Sequence, residues 1–286
     1  MAQHSDDTDN RKKLNVWQDS LKKISFNIYN NNSEPERYNA SYVFIKTLVS
    51  ALKTPNSFNF NFDSLKAISV LTPPDRKFKI FSWHVMNNDG SYRYYGTIQM
   101  NNPDGKLEMF PLIDFTSGIK NPADTVTDNG KWYGAQYYSI VPVTANVQNP
   151  YYVLLGWKGN TVQSNKKVIE VLHFKNKQAV FGMPVFDGDK SNIDKKRIIF
   201  EYTRRASMVL NYDPKQGMIV FDHLAPPDPK LEGKYDLYGP DFSYDGYKIQ
   251  KGRLSLVSDL KLENPPTEKD DQFNDPRKLK GTGGGQ

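Results

Sequence analysis

The hydrophobic period of the chain changes once, at Pro55, and that change constrains the fold more than any other feature. Upstream, Leu14, Trp17, Leu21, Ile24 and Ile28 recur at steps of three and four residues. Such steps place them on one helical face. Tyr38, Tyr42, Ile45, Val49 and Leu52 repeat the spacing. Ser33 and Glu36 read as a capping box for this second helix, with Pro35 tolerated in its first turn. The helix should stop near Lys53, because Pro55 disfavours helical backbone just before it. Asn30-Asn31-Asn32 reads as a loop, so residues 10–55 are expected to form a helical hairpin. Residues 1–9 are polar and are expected to be a disordered start.

Downstream the period is 2. Phe58-Asn59-Phe60-Asn61-Phe62 alternates as a half-buried strand does. Strand-like runs follow at Phe78–Trp83, Tyr92–Met100, Leu107–Ile113, Trp132–Val141, Tyr151–Trp157 and Val168–Phe174. Others lie at Ile198–Thr203, Met208–Asn211, Met218–Leu224 and Tyr247–Leu256. Turn signals separate many of them, among them Asn88-Asp89-Gly90, Asp104-Gly105, Asn129-Gly130, Gly159-Asn160 and Gln216-Gly217. The 17 Tyr and 16 Phe suit pleated, half-buried surfaces. About ten to twelve strands joined by short turns predict antiparallel neighbours. The expected class is mainly β (α+β): an N-terminal helical hairpin, then a large antiparallel β meander over residues 56–260. Barrel, sandwich and propeller-like closures stay open, since no repeat of fixed period is found. Residues 261–286, rich in Pro, Lys, Asp and Gly, are expected to be a disordered polar tail.

The charge of +6 is spread along the chain, and its densest runs, such as Arg11-Lys12-Lys13 and Lys195-Lys196-Arg197, are short. They read as solvated surface, and no module points to nucleic acid. Cysteine is absent, which removes disulfides, thiolate catalysis and Cys-ligated metals. No apolar run approaches the roughly 20 residues that cross a bilayer as a helix. Met1-Ala2-Gln3 before a polar stretch reads as the scar of a removed export signal, which places the protein in the periplasm or outside the cell.

Candidate chemistry is sparse. His84 and His173 fall in predicted strands and read as structural imidazoles. His223 lies where a strand runs toward Pro226-Pro227 and is the candidate base. Its neighbour Asp222 should point to the opposite face. Asp241 and Asp245 sit with Ser243 in the stretch Gly239–Tyr247, read as a loop. Those two carboxylates with His223 form the candidate catalytic set, suited to glycoside cleavage; the same carboxyls also suit a tight turn. Asp187–Asp194 begins like a calcium loop but has Asn192 and Ile198 where Gly and Glu belong, so it reads as a hydrophilic hairpin loop. No phosphate loop or nucleophile elbow occurs, so no cofactor and no metal is expected. Trp17, Trp83, Trp132 and Trp157 offer rings for sugar stacking, though their positions in regular elements favour core packing.

Several phrases together resemble a family of uncharacterised exported proteins from Bacteroidota bacteria. They are Phe78–Trp83, Trp132-Tyr133-Gly134, Leu154–Trp157, Ile199–Tyr202, Phe221–Leu224 and Gly239–Tyr247. The resemblance implies export and carries no assigned activity. The function expected is a non-catalytic binding or structural module of the cell envelope, with an unknown protein or polysaccharide partner. The alternative is a glycan or cell-wall hydrolase using Asp241, Asp245 and His223.

Overall fold

The structure is a computed structural model that describes residues 2–144, 147–188 and 192–261. The expected tail at 262–286 lies outside the described residues. Helix α1 spans Ala2–Asn30 and α2 spans Glu34–Leu52. The helix therefore starts at Ala2, where a disordered lead-in to residue 9 was expected. Once a helix is nucleated, each added residue gains a hydrogen bond, so it extends at little cost into a polar segment. Lys53 caps α2 as expected. The capping box does not form: the Ser33 side chain makes no cap bond. Glu34 instead accepts from the Asn88 amide (2.5 Å), and the Asn31 side chain accepts from the Ser33 amide (2.9 Å).

Fifteen strands follow among the described residues: β1 Ser69–Leu71, β2 Phe78–Met86, β3 Tyr92–Met100, β4 Met109–Ile113 and β5 Thr127–Asp128. Next come β6 Gln136–Val143, β7 Tyr151–Gly159, β8 Ser164–Lys175, β9 Gln178–Phe181 and β10 Phe186–Asp187. The last are β11 Ile198–Thr203, β12 Leu210–Asp213, β13 Met218–Ala225, β14 Gly239–Gln250 and β15 Arg253–Val257. They form three sheets, ordered β1-β2-β3-β4, β5-β9-β8-β7-β6 with β11 also on β8, and β10-β15-β14-β13-β12. Every pairing is antiparallel except β10 with β15. None of the sheets closes into a barrel.

The sheets stack, and strand parity shows how. In β2, Phe78 and Ile80 join a core shared with Tyr152, Leu154, Val168 and Leu172 of the second sheet. Phe81, Trp83 and Val85 point the other way, into a core with Leu14, Leu21 and Ile28 of α1 and Phe44 and Leu48 of α2. In β7, Tyr152 and Leu154 face the first sheet, while Tyr151, Val153 and Leu155 face Ile219, Phe221 and Tyr247 of the third. The order is thus hairpin, first sheet, second sheet, third sheet, with a hydrophobic core in each gap. Burial on both faces explains why these runs are nearly continuous rather than alternating.

Two segments depart from the reading. Phe58–Phe62 is no strand: Ser57–Asn59 is a single 3-10 turn, and Phe62 has φ +58°. Phe58 and Phe62 are buried with Phe60 half-buried, because the segment wraps the buried ammonium of Lys79. Lys79 donates to the carbonyls of Phe58 (2.7 Å) and Phe60 (2.5 Å). Its Nζ lies 5.2 and 5.7 Å from the ring centres of Phe58 and Phe62. The alternation served a cation, not a pleat. The second departure is Tyr247–Leu256, which is two strands. Lys251 (φ +49°) and Gly252 (φ +78°) make the turn between β14 and β15.

Candidate functional site

The stretch Gly239–Tyr247, expected as a loop, is the first half of β14. It pairs with β13, while β15 reaches only Gly246 and beyond. Residues 239–245 are therefore edge-like on one side, which is where a strand tolerates Pro240. Between Asp222–Tyr244 and Leu224–Pro240 the ladder spans one residue of β13 and three of β14, so β14 bulges at Asp241–Ser243 opposite His223. The bulge brings His223 Nδ1 to 2.8 Å from Asp241 Oδ2. The other oxygen of Asp241 accepts the Ser243 amide (3.0 Å) and hydroxyl (2.7 Å). Partial burial pushes the Asp241 carboxyl up, but the bonds from Ser243 and His223 outweigh it and leave the carboxyl below its ordinary range. Asp222 turns away, as expected, and accepts the Val209 amide (2.6 Å).

Asp245 does not join this pair through a hydrogen bond; it accepts the Asp259 amide (3.0 Å), where it anchors the chain after β15. His223 and Asp241 are half-exposed, with side chains 49% and 36% accessible. Phe242 beside them is 93% exposed at φ +70°. A bulky residue in that region is strained by roughly 1–2 kcal/mol. Phe242→Gly is therefore expected to stabilise the fold by about 1 kcal/mol, and Phe242→Val to destabilise it, in urea unfolding.

The calcium-like stretch lies partly outside the described residues. Asp187 is held by Arg253 through Nε–Oδ2 (2.5 Å) and Nη2–Oδ1 (2.6 Å) contacts. Trp83 and Trp132 are core, as expected, and Trp17 packs against the helical core.

The more developed site is one that sequence reasoning did not single out. A hollow of about 590 Å³ opens where the interhelix loop, the β2–β3 turn and the β7–β8 turn meet. Its size suits a ligand of several rings. Tyr29, His84, Tyr92 and Trp157 line it, and five asparagines, Asn30, Asn31, Asn32, Asn87 and Asn88, supply amides. Trp157 stands 5.4 Å from Tyr92 and 5.1 Å from His84 between ring centres, so the rings brace one another. Tyr92 rests against Gly159, where a Cβ would come within 2.3 Å of its ring, so only glycine permits this approach. His84 bonds Gln136 across 2.8 Å, and burial pushes its imidazole down to about 4. It is neutral at physiological pH.

Arg37 fixes the rim. It donates to the carbonyls of Met86 (3.1 Å), Asn31 (2.9 Å) and Asn32 (3.1 Å), and to the Asn88 side chain (2.9 Å). Tyr38 adds a 2.6 Å bond to Asn87. A second hollow of about 330 Å³ shares Asn87 and Tyr92 as its wall and reaches Arg93, Asp114 and Lys158. Lys158 is buried and donates to Thr116 Oγ1 (2.9 Å) and the Gly134 carbonyl (2.6 Å). The rings of Tyr94 and Tyr133 each lie 4.4 Å from its Nζ. Burial pushes Lys158 down to about 7, against the pull of Asp114. A lysine in the interior of a central strand, next to a half-buried tryptophan, was the available signal. Among the described residues no helix is long and apolar enough to cross a membrane.

No family model matches this chain, and no curated protein or solved structure matches it either.

Proposed function

We propose that the protein is a non-catalytic binding module of the bacterial cell envelope, exported across the inner membrane, whose cleft at Tyr92 and Trp157 holds a segment of glycan. The observation that carries the reading is the cleft itself, where braced aromatic rings stand among a dense set of asparagine amides. Sugar rings present apolar faces and a rim of hydroxyls, and this lining offers a partner for each. The groups that would do acid–base work at the cleft are engaged or neutral. Both oxygens of Asp114 accept bonds, from the Tyr94 amide (2.9 Å) and from the Thr116 amide (3.0 Å) and hydroxyl (2.5 Å). The resemblance to exported Bacteroidota proteins supports the location.

The test is a panel of neutral and acidic polysaccharides offered to the full chain. Trp157→Ala is expected to weaken the bound member at least about tenfold, a loss of about 1.4 kcal/mol, with Trp157→Phe intermediate. Unchanged affinity in a folded Trp157→Ala protein would move the ligand elsewhere.

The hydrolase reading keeps one specific support, the 2.8 Å contact of His223 with Asp241. It requires glycan cleavage that Asp241→Asn abolishes.

A further inference from the structure

We propose that the glycan held in this cleft is acidic, with a uronate carboxylate seated on Arg204. The inference rests on the cleft reading above and adds the charge of the ligand. The 590 Å³ hollow is lined by two arginines, Arg37 and Arg204, and by no carboxylate. Neither arginine forms an ion pair among the described residues. Arg37 is buried and has committed its donors to carbonyl oxygens, so its charge is spread over dipoles rather than cancelled.

Arg204 differs, because it is exposed yet held in place. It donates to the Thr161 carbonyl (3.1 Å) and the Tyr92 hydroxyl (2.9 Å), and contacts Met86 Sδ at 4.0 Å. Its guanidinium lies 5.9 Å from the centre of the Tyr92 ring. A guanidinium has five N–H donors in a fixed fork. With Thr161 on Nη1 and Tyr92 and Met86 on Nη2, Nε–H and one Nη1–H stay unused, and a carboxylate oxygen can take either in a charge-assisted bond. The charge is thus preorganised beside the ring on which a sugar would stack.

The adjoining hollow extends the pattern. It places Arg93 and Lys158 against a single carboxylate, Asp114, whose oxygens already accept three protein bonds. Arg93 makes no ion pair among the described residues. The carboxylates near the rim, Glu34 and Asp89, keep their charge but pair with no arginine among the described residues. Glu34 takes the Asn88 amide, and Asp89 takes the Ser91 amide and hydroxyl. The chain as a whole carries +6, which draws anions toward a cationic cleft. A neutral glycan would leave Arg204 and Arg93 without a counter-ion, whereas a uronate would supply one.

The experiment compares polygalacturonate with its fully methyl-esterified form on the full chain, by titration calorimetry at low and moderate salt. The two share a ring skeleton and differ in charge. The acid form is expected to bind at least about tenfold tighter. Arg204→Gln should erase most of that advantage, lowering the affinity of the acid form far more than that of the ester. Equal affinity for the two forms overturns the inference. So does a preference for acid that Arg204→Gln leaves intact, since that is nonspecific attraction to a basic chain. If neither form binds while a neutral member of the polysaccharide panel does, the acidic ligand is excluded and the cleft reading stands. If no polysaccharide binds, both fall together.

Discussion

Glu170→Gln is expected to destabilise the fold by about 3–5 kcal/mol, a large share of the roughly 5–15 kcal/mol by which native domains are stable. Glu170 and Arg197 are both fully buried, with side chains 0% accessible. Arg197 Nε donates to both Glu170 oxygens, at 3.0 and 2.8 Å. Burial pushes the Glu170 carboxyl above its usual range, and the guanidinium and the Val171 amide pull it back. Arg197 also donates to the carbonyls of Pro122 and Thr125 and reaches the ring of Tyr133 at 5.5 Å. It fastens the irregular segment before β5 to the central strand β8. The glutamine variant keeps the volume but leaves a guanidinium in the interior with no counter-charge. Urea unfolding of the two proteins at neutral pH measures the loss. A change below about 1 kcal/mol would mean that the carbonyls alone satisfy Arg197.

The second large effect is a rise of stability with pH in the alkaline range. Burial pushes Lys158 down to about 7 and Lys79 down to about 8. In the unfolded chain both titrate near ~10.4. Between those values the unfolded state holds more protons than the folded one, so raising the pH favours folding. Lys158 alone contributes a slope of up to about 1.4 kcal/mol per pH unit above pH 7, and Lys79 adds its own above pH 8. The gain ends near pH 10. Buried tyrosines such as Tyr133 and Tyr137 resist ionisation when folded, so above that point the unfolded chain loses phenolic protons first and stability falls. Unfolding free energy is therefore expected to rise from about pH 6, where His84 is neutral when folded but still takes up protons when unfolded, to climb further with the two lysines to a maximum between about pH 9 and 10, and then to drop. Lys158→Met should remove the rise between pH 7 and 8. A curve that stays flat between about pH 7 and 9 would show that both ammonium groups keep ordinary proton affinity.

What the sequence made legible follows from how each segment is buried. Helix α1 was readable because Leu14, Leu21 and Ile28 form one buried apolar stripe. In α2 the stripe Tyr38, Tyr42, Ile45 and Val49 is not the buried face: Tyr42 is 56% exposed, and the helix buries Arg37, Ser41, Phe44 and Leu48, because two polar positions serve the packed side. The hairpin turns were readable at Gly90, Gly105 and Gly217, where positive φ leaves little choice of residue. Stacking of sheets was not readable, because strands buried on both faces lose their alternation. Asp241 and His223 were named and do meet, yet the stretch around Asp241 looked like a loop. Its Gly, Pro and Ser mark an unpaired strand edge with a bulge, and the same residues mark turns. Asp245 stands four positions from Asp241, which the sequence offered as one site, but its carboxylate holds the chain at Asp259 instead. Arg197 was read within a solvated run, Lys195-Lys196-Arg197, because composition cannot reveal that one of three neighbours turns inward to meet Glu170. The cleft draws its rings and amides from α1, β2, β3 and β7, so no local window contains it.

On the proposed function, ligand enters the hollow between Trp157 and the asparagine-rich loops. Hydrogen–deuterium exchange, with and without the polysaccharide that binds, tests this most directly. Protection is expected in residues 29–32, 86–92 and 157–163, with β13 and β14 around His223 and Asp241 unchanged. Protection confined to His223, Asp241 and their strands, with the hollow exchanging as before, would contradict it.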